Sequence, residues 1–196
     1  MTLADGARAV QIAYRPTPTI RRFLSDTRFL TGLFGPLGCG KTSALCFKAW
    51  RYAQAFPGAK VLIVRDTWPS LRDTTLATWL EWFPAGLCGE WRKTDKVYVV
   101  RTEGAPSQIL FRALDDERDV RNVLSLEVAA AGLDEPQGGP NTRGGADPGI
   151  NATLYKSILA RVGRQKGYPL KMLWMVGNPP APSHWIAKEF DYAGVG

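Results

Sequence analysis

The sequence has 196 residues, of which 45% are hydrophobic, so it is long enough to bury one substantial core and is most simply a single domain. No uncharged apolar stretch approaches the roughly 18 residues needed to span a bilayer, and the first ten residues, which include an acidic residue and lack an apolar core segment, are not expected to be a secretory signal. The formal net charge is +7, and arginine outnumbers lysine 16 to 9. This charge excludes no functional class of protein by itself, because it suits binding to a polyanion and also a surface that is charged only for solubility.

The first predicted unit is a strand, a glycine-rich loop and a helix. Phe29 to Phe34 is an apolar run typical of a strand, and residues 41–56 place apolar side chains at helical spacing. Between them, the loop matches G-x-x-x-x-G-K-[ST], in which backbone N–H groups face phosphate oxygens, the lysine reaches the β- and γ-phosphates, and the hydroxyl ligates Mg²⁺. The alternative is a glycine-rich turn that only opens a helix. The residues predicted to contact a nucleotide are Gly35, Pro36, Leu37, Gly38, Cys39, Gly40, Lys41, Thr42 and Ser43.

The next elements alternate between strands and helices. Val61 to Val64 is a β-branched run typical of a buried strand, and residues 68–83 form an amphipathic helix that Pro84 ends. Lys96 to Leu114 is predicted to be a hairpin around the turn-like segment TEGAPS. This alternation around a phosphate loop predicts an α/β fold with a mostly parallel central sheet, flanked by helices and carrying a β-hairpin insertion.

Two adjacent carboxylates, Asp134 and Glu135, follow the apolar segment VAAAGL. If that segment is a strand, Asp134 is placed to hold the metal and Glu135 to orient or deprotonate water. The alternative is an alanine-rich helix capped by Ser125 and stopped by Gly132, which would leave an exposed acidic turn.

The rest of the chain supplies a loop, a helix, a strand and a last helix. Residues 136–149 hold five glycines and three prolines, so they are a loop that is either a passive connector or a binding element. Residues 152–162 are predicted to be helical, 169–176 a buried strand and 183–190 a last helix. After the strand, Asn178 either hydrogen-bonds the γ-phosphate or water, or forms an ordinary Asn-Pro turn.

Several further side chains have both a functional and an ordinary interpretation. A transition-state arginine is often supplied by a neighbouring subunit; the candidates are Arg118, Arg121, Arg161 and Arg164, each of which is singly more typical of a solvated surface. Three cysteines form no close-spaced metal pair and no even disulfide set, which favours a reducing, cytosolic setting. His184 has no ligand-type neighbours and is expected to be structural, and Tyr14 is either an adenine-stacking residue or a surface contact.

The order of these segments resembles the ATPase domain of the large terminase subunit of tailed bacteriophages. The segments that carry the resemblance run from about Tyr14 to Trp185: GPLGCGKTSA, LIVRDTWPSLRDTTLATWLEWFP, SLEVAAAGLDEP, RVGR and GNPPAPSHW. The resemblance implies a P-loop NTPase of the ASCE type that uses ATP and Mg²⁺ to translocate double-stranded DNA into a procapsid. It also implies a homo-oligomeric ring acting in the host cytoplasm with a portal protein and a small terminase subunit.

The resemblance also implies roles for single residues. It favours the strand interpretation of Ala129 to Glu135, with Asp134 as metal ligand and Glu135 as catalytic carboxylate. Gly177, Asn178 and Pro179 coincide with the family's coupling motif, and Arg121 is similar to its trans-acting arginine, with Arg118 as the neighbouring candidate. Two departures stand out: the variable loop positions lack the basic residue that many relatives carry, and the family's C-terminal nuclease domain is not expected within the 196 residues. The alternatives are a small-molecule kinase, with residues 161–166 as its lid, and a slow nucleotide-dependent switch.

Overall fold

The structure is a computed structural model that describes residues 12–140, 146–147 and 149–191. The expectation for the first ten residues and part of that for the loop 136–149 lie outside this range. The helices are α1 (Pro18–Ser25), α2 (Lys41–Ala55), α3 (Trp68–Ser70), α4 (Ala77–Trp82), α5 (Glu117–Leu124), α6 (Ala152–Leu159) and α7 (Trp185–Glu189). The strands are β1 (Leu30–Phe34), β2 (Lys60–Val64), β3 (Gly89–Arg92), β4 (Val97–Val100), β5 (Ser107–Arg112), β6 (Ala130–Asp134), β7 (Gly139–Pro140), β8 (Ala146–Asp147) and β9 (Met172–Gly177).

Seven of these strands form one sheet in the order β1-β9-β6-β2-β5-β4-β3. The first five are parallel to their neighbours, while β4 and β3 add an antiparallel hairpin and edge strand. The predicted fold class, a mostly parallel α/β sheet with a hairpin insertion, is therefore confirmed. The strand order adds that β9 lies between the strand before the phosphate loop and the acidic strand. Strand β3 was not predicted, because its four residues GEWR alternate too briefly to give a signal.

The segment before Asp134 is a strand, as the resemblance favoured. All five residues of β6 are buried, since β2 and β9 flank it and helices cover the sheet. Small side chains suit this position because the indole of Trp174 on β9 occupies the space that a Cβ at Gly132 would need. Burial on both faces of a parallel sheet thus overrides the helix propensity of alanine.

Aromatic side chains fix the helix that follows β2 against α2. Trp50 of α2 stacks on Phe83 with ring centroids 4.3 Å apart, and Trp79 lies 4.7 Å from the same ring. The predicted helix 68–83 is present, but its centre, Leu71–Leu76, is π-helical and joins α3 to α4. Single π-helical turns of this kind occur often at functional sites.

Two residues with open interpretations have structural roles. Tyr14 is not a free surface contact: its ring stacks on Phe47 at 4.0 Å and meets Trp82 edge-on. His184 caps α7, its Nδ1 accepting a hydrogen bond from the Ile186 N–H. No helix in the described ranges is long and apolar enough to cross a bilayer.

Lys48 is a buried lysine that ties α2 to the end of α1. Its ammonium donates to the carbonyls of Phe23 (2.5 Å) and Asp26 (2.7 Å), and burial lowers its pKa to about 8 from an ordinary value of 10.5. The unfolded chain therefore binds more protons between these values, so Lys48 should add stability as pH rises from about 8 to about 10.5. We expect urea unfolding to show that the free energy of unfolding of the native chain, minus that of Lys48→Met, rises with pH in that window. A difference that does not change with pH would contradict the assignment.

Candidate active site

The loop between β1 and α2 has a backbone built to receive an anion. Gly38 and Gly40 have φ of +74° and +82°, a left-handed conformation that favours glycine, and a Cβ at Gly38 would meet nothing within 4 Å. Gly40, the N-cap of α2, has no side chain with which to cap the helix, so the first N–H groups point out from the helix end. Alternating backbone conformations followed by a helix N-terminus form a typical phosphate-binding concavity.

Lys41 lies along the floor of this loop and is only 5% exposed. Its Nζ donates to the Pro36 carbonyl at 2.7 Å and to Asn178 Oδ1 at 3.3 Å. The lysine thereby joins the loop to the carboxyl end of β9, 137 residues later in the chain. A bound phosphate oxygen would compete with these neutral acceptors for a positively charged donor.

Thr42 and Asp134 meet where the loop faces the end of β6. The Thr42 hydroxyl donates to Asp134 Oδ1 at 3.3 Å, and Asp134 Oδ2 lies 3.3 Å from Arg65 Nη1. Burial raises the pKa of the fully buried Asp134 above its ordinary value, while the Arg65 guanidinium and the hydroxyl bonds oppose that shift. The carboxylate is held in the orientation that presents one oxygen to Thr42.

Thr75, in the π-helical segment, also holds Asp134. Its hydroxyl donates to Oδ2 at 2.5 Å, and both residues are fully buried. Thr75→Val keeps the shape but leaves this carboxylate without one donor, so we expect a loss of about 1–3 kcal/mol in the free energy of unfolding. Thr75→Ser, which keeps the hydroxyl, should recover most of the loss in urea unfolding; equal losses in both variants would show that packing, and not the hydrogen bond, matters there.

Glu135 lies beside Asn178, the residue that also accepts a hydrogen bond from Lys41. The Asn178 N–H donates to Glu135 Oε2 at 3.4 Å, and Gln137 Nε2 donates to the same oxygen. Glu135 itself has φ of +50°, an uncommon conformation for a residue with a side chain. Strain of this kind is often retained where a side chain must face a reacting group.

Sequence reasoning missed three polar contributors to this site: Arg65, Thr74 and Thr75. Arg65 directly follows β2, and its Nη1 donates to Thr74 Oγ1 at 2.9 Å as well as facing Asp134. The sequence could have indicated Arg65, because it directly follows a predicted parallel strand and the carboxyl ends of such strands meet at one edge of the sheet. Thr74 and Thr75 carried no such signal, since only the π-helical turn brings both toward the site.

The candidate arginines lie away from the loop. Arg121 is on α5 with its side chain 69% exposed, 3.3 Å from Glu117, and Arg118 is also exposed. Arg161 and Arg164 follow α6, where Val162 bridges Val128 just before β6 begins. That is the amino-terminal edge of the sheet, opposite Asp134. None of the four lines the cavity formed by the described residues.

The loop, Glu135 and Asn178 line one cavity of about 410 Å³, and the fully buried Asp134 lies behind it, hydrogen-bonded to the lining residue Thr42. Its size falls in the range of small-molecule sites, about 300–1,000 Å³. Within the described ranges no three His, Cys, Asp or Glu side chains cluster as a metal cage. The Thr42 hydroxyl and Asp134 carboxylate are nevertheless hard oxygen donors, and Mg²⁺ typically takes only one or two protein ligands together with phosphate and water. The donor set therefore fits Mg²⁺ bound with a nucleotide.

No protein-family model matches this sequence, and no curated protein matches it. Solved structures do match. The large terminase of a thermophilic bacteriophage superposes with a TM-score of 0.70 at 16% identity, over 90% of this chain and 42% of that one. The large terminase ATPase domain of Thermus phage P74-26 gives 0.67 at 16%, over 94% and 73%. The Phi-28 gp11 DNA packaging motor gives 0.51 at 14%, over 89% and 53%.

These comparisons establish the fold. The chain has the fold of large terminase ATPase domains, as the order of its segments predicted, and it spans 42% of the length of the first of these proteins. That large terminase has also been solved in complex with ADP and with ATP-gamma-S.

Proposed function

We propose that this chain is an ATP-hydrolysing motor domain that drives double-stranded DNA into a viral procapsid. The observation that carries the proposal is that three features meet at one cavity: the helix N-terminus behind the glycine loop, Thr42 with the buried Asp134 hydrogen-bonded behind it, and Glu135. The shared fold with large terminases, one of them solved with ADP, supports ATP as the nucleotide. The proposed setting is the host cytoplasm, with a portal protein and a small terminase subunit as partners.

Each site residue has a distinct proposed task. The loop amides and Lys41 bind the phosphates, and Lys41 gives up its hydrogen bond to Asn178 Oδ1 when it does so. Thr42 and Asp134 would hold Mg²⁺, which would neutralise charge on the phosphate oxygens. Glu135 orients the attacking water and accepts its proton. Asn178 contacts both Lys41 and Glu135, so it is placed to couple the state of the phosphates to the segment that follows β9.

Arg121 is proposed to act on a neighbouring subunit in a ring. Its exposure on α5, away from its own cavity, is what a residue that completes another subunit's site requires. Arg121→Ala and Glu135→Gln should each lower turnover by about 10²-fold or more, whereas a mixture of the two should regain part of it at interfaces that combine an intact Glu135 with an intact Arg121. A mixture that stays inactive under conditions where the native ring turns over would contradict the role of Arg121.

The segment that was expected to be the lid of a kinase lies at the wrong edge of the sheet, which removes the main support for the kinase alternative. Residues 161–166 follow α6 at the amino-terminal edge of the sheet, where the Gly163 N–H donates to the Val128 carbonyl at 2.7 Å. A lid over the acceptor would have to lie at the opposite edge, near Asp134. A slow nucleotide switch would use the same phosphate loop, so turnover separates it from a motor.

The test is ATP turnover with and without double-stranded DNA. A DNA-translocating ATPase should turn over faster with DNA, and the acceleration should fade as salt rises, because the release of counterions from DNA favours binding less at high salt. Acceleration by a small phosphate acceptor in place of DNA would favour a kinase. Negligible turnover under all conditions, at chain concentrations where a ring forms, would favour a switch.

A further inference from the structure

Gln137 stands out in the site because its side-chain amide lies between the end of the acidic strand β6 and Gly177, the last residue of β9. It follows Glu135 by two residues, and its Nε2 donates to Glu135 Oε2. The Asn178 N–H donates to that same oxygen at 3.4 Å. One carboxylate oxygen of Glu135 is thus engaged from two sides. The other, Oε1, has no hydrogen bond within the described ranges and belongs to a residue that lines the cavity.

Gly177 makes room for this amide. A Cβ at position 177 would overlap the Gln137 side chain, with Oε1, Cδ and Nε2 as its nearest atoms. Gly177 is not among the residues with positive φ, so its backbone conformation does not demand glycine. The missing side chain is required for space, and the space is filled by Gln137.

The amide oxygen of Gln137 is the remaining observation. It is buried and has no hydrogen-bond partner among the described residues. A buried acceptor without a partner costs free energy, so this position is unfavourable for the amide oxygen. What the position provides is the hydrogen bond from the amide nitrogen to Glu135.

From this geometry we propose that Gln137 is the positioning residue for Glu135: it fixes Oε2 against the end of β9 so that Oε1 faces the attacking water. The inference rests on the proposed ATPase function and adds to it a residue that acts through Glu135 without touching the nucleotide. Gly177 is its structural complement, because only glycine there leaves the amide in place.

Gln137→Met and Gln137→Glu remove the donor while keeping the length of the side chain. Each should lower kcat for ATP about tenfold, which corresponds to ~1.4 kcal/mol of transition-state stabilisation, with KM for ATP within about twofold. Gln54→Met is the matched control, because the Gln54 amide is likewise a donor, to the carbonyl of Arg101, but lies outside the cavity. It should leave both constants unchanged.

Gly177→Ala provides a second, independent route to the same loss. The added methyl group should displace the Gln137 amide and lower kcat in the native background. In a Gln137→Ala background, where the amide is already gone, Gly177→Ala should have no further effect. Equal losses in both backgrounds, or unchanged kcat in Gln137→Met, would overturn the inference while leaving the ATPase function intact.

A measurement that does not need turnover separates the two proposals. The shifts in urea midpoint of Gln137→Met, Glu135→Leu and their double variant should be non-additive, the double variant shifting no further than the larger single shift, because a leucine side chain, unlike a glutamine one, cannot accept the hydrogen bond from Gln137. Additive shifts would overturn the Gln137–Glu135 contact. If the native chain and Glu135→Gln are equally inactive with ATP while the shifts are non-additive, the proposed function fails and the contact remains.

Discussion

Glu135→Gln should lower ATP turnover about 10²–10⁴-fold while leaving ATP affinity within a few-fold of the native value. The amide keeps the size of the side chain and its place beside Asn178, but it cannot accept a proton from water. Because the hydrogen bonds of the Glu135 carboxylate within the described ranges come from Asn178 and Gln137 and not from the phosphate loop, nucleotide binding should survive. Steady-state hydrolysis and a fluorescent-nucleotide titration measure the two quantities on the same preparation.

The matched control is Glu103→Gln, an exposed carboxylate in the turn between β4 and β5. It changes the net charge by the same amount and should leave turnover unchanged. Turnover retained in Glu135→Gln would mean that another group activates water, and the assignment of Glu135 would be wrong.

Lys41→Met should weaken ATP binding about 10- to 150-fold, because charge-assisted hydrogen bonds contribute about 1.5–3 kcal/mol. The lysine is buried against the loop, so its ammonium meets phosphate with little competition from water. Met keeps the aliphatic stem and removes only the charged donor. Turnover at any attainable ATP concentration should also fall, since the same ammonium stabilises charge that develops on the transferred phosphoryl group.

Lys60→Met is the control for Lys41. Lys60 is exposed at the amino end of β2, at the opposite edge of the sheet from the loop. Its substitution should leave ATP affinity within experimental error of the native chain. If Lys41→Met binds ATP as tightly as the native chain, the loop is not the phosphate site.

The sequence predicted the phosphate loop and the fold class because both depend on local patterns. Gly38 and Gly40 supply left-handed backbone at fixed spacing from Lys41, and such a loop works only between a strand and a helix. The acidic strand was ambiguous, because alanine suits a helix and a doubly buried strand equally well. Its neighbours decided the matter: β2 and β9 pair with it on both sides, which no local window reveals.

The groups that hold the carboxylates were beyond sequence reasoning because their contacts are long-range. Thr75 reaches Asp134 across 59 residues of chain, and it does so from a π-helical turn that periodicity reads as ordinary helix. Gln137 is close to Glu135 in sequence, yet its importance depends on Gly177, far along the chain, having no side chain. Packing across strands, not residue type, defines these supporting contacts.

The most direct test of the account is a crystal structure of the chain with Mg²⁺ and a non-hydrolysable ATP analogue. We expect the β- and γ-phosphates against the amides of residues 38–42, Lys41 moved from Asn178 to phosphate, and Mg²⁺ held next to Thr42 and Asp134. Glu135 should face the γ-phosphate through a water molecule. A nucleotide bound elsewhere, or bound in the loop with Asp134 and Glu135 both remote from the metal and the γ-phosphate, would contradict the proposed active site.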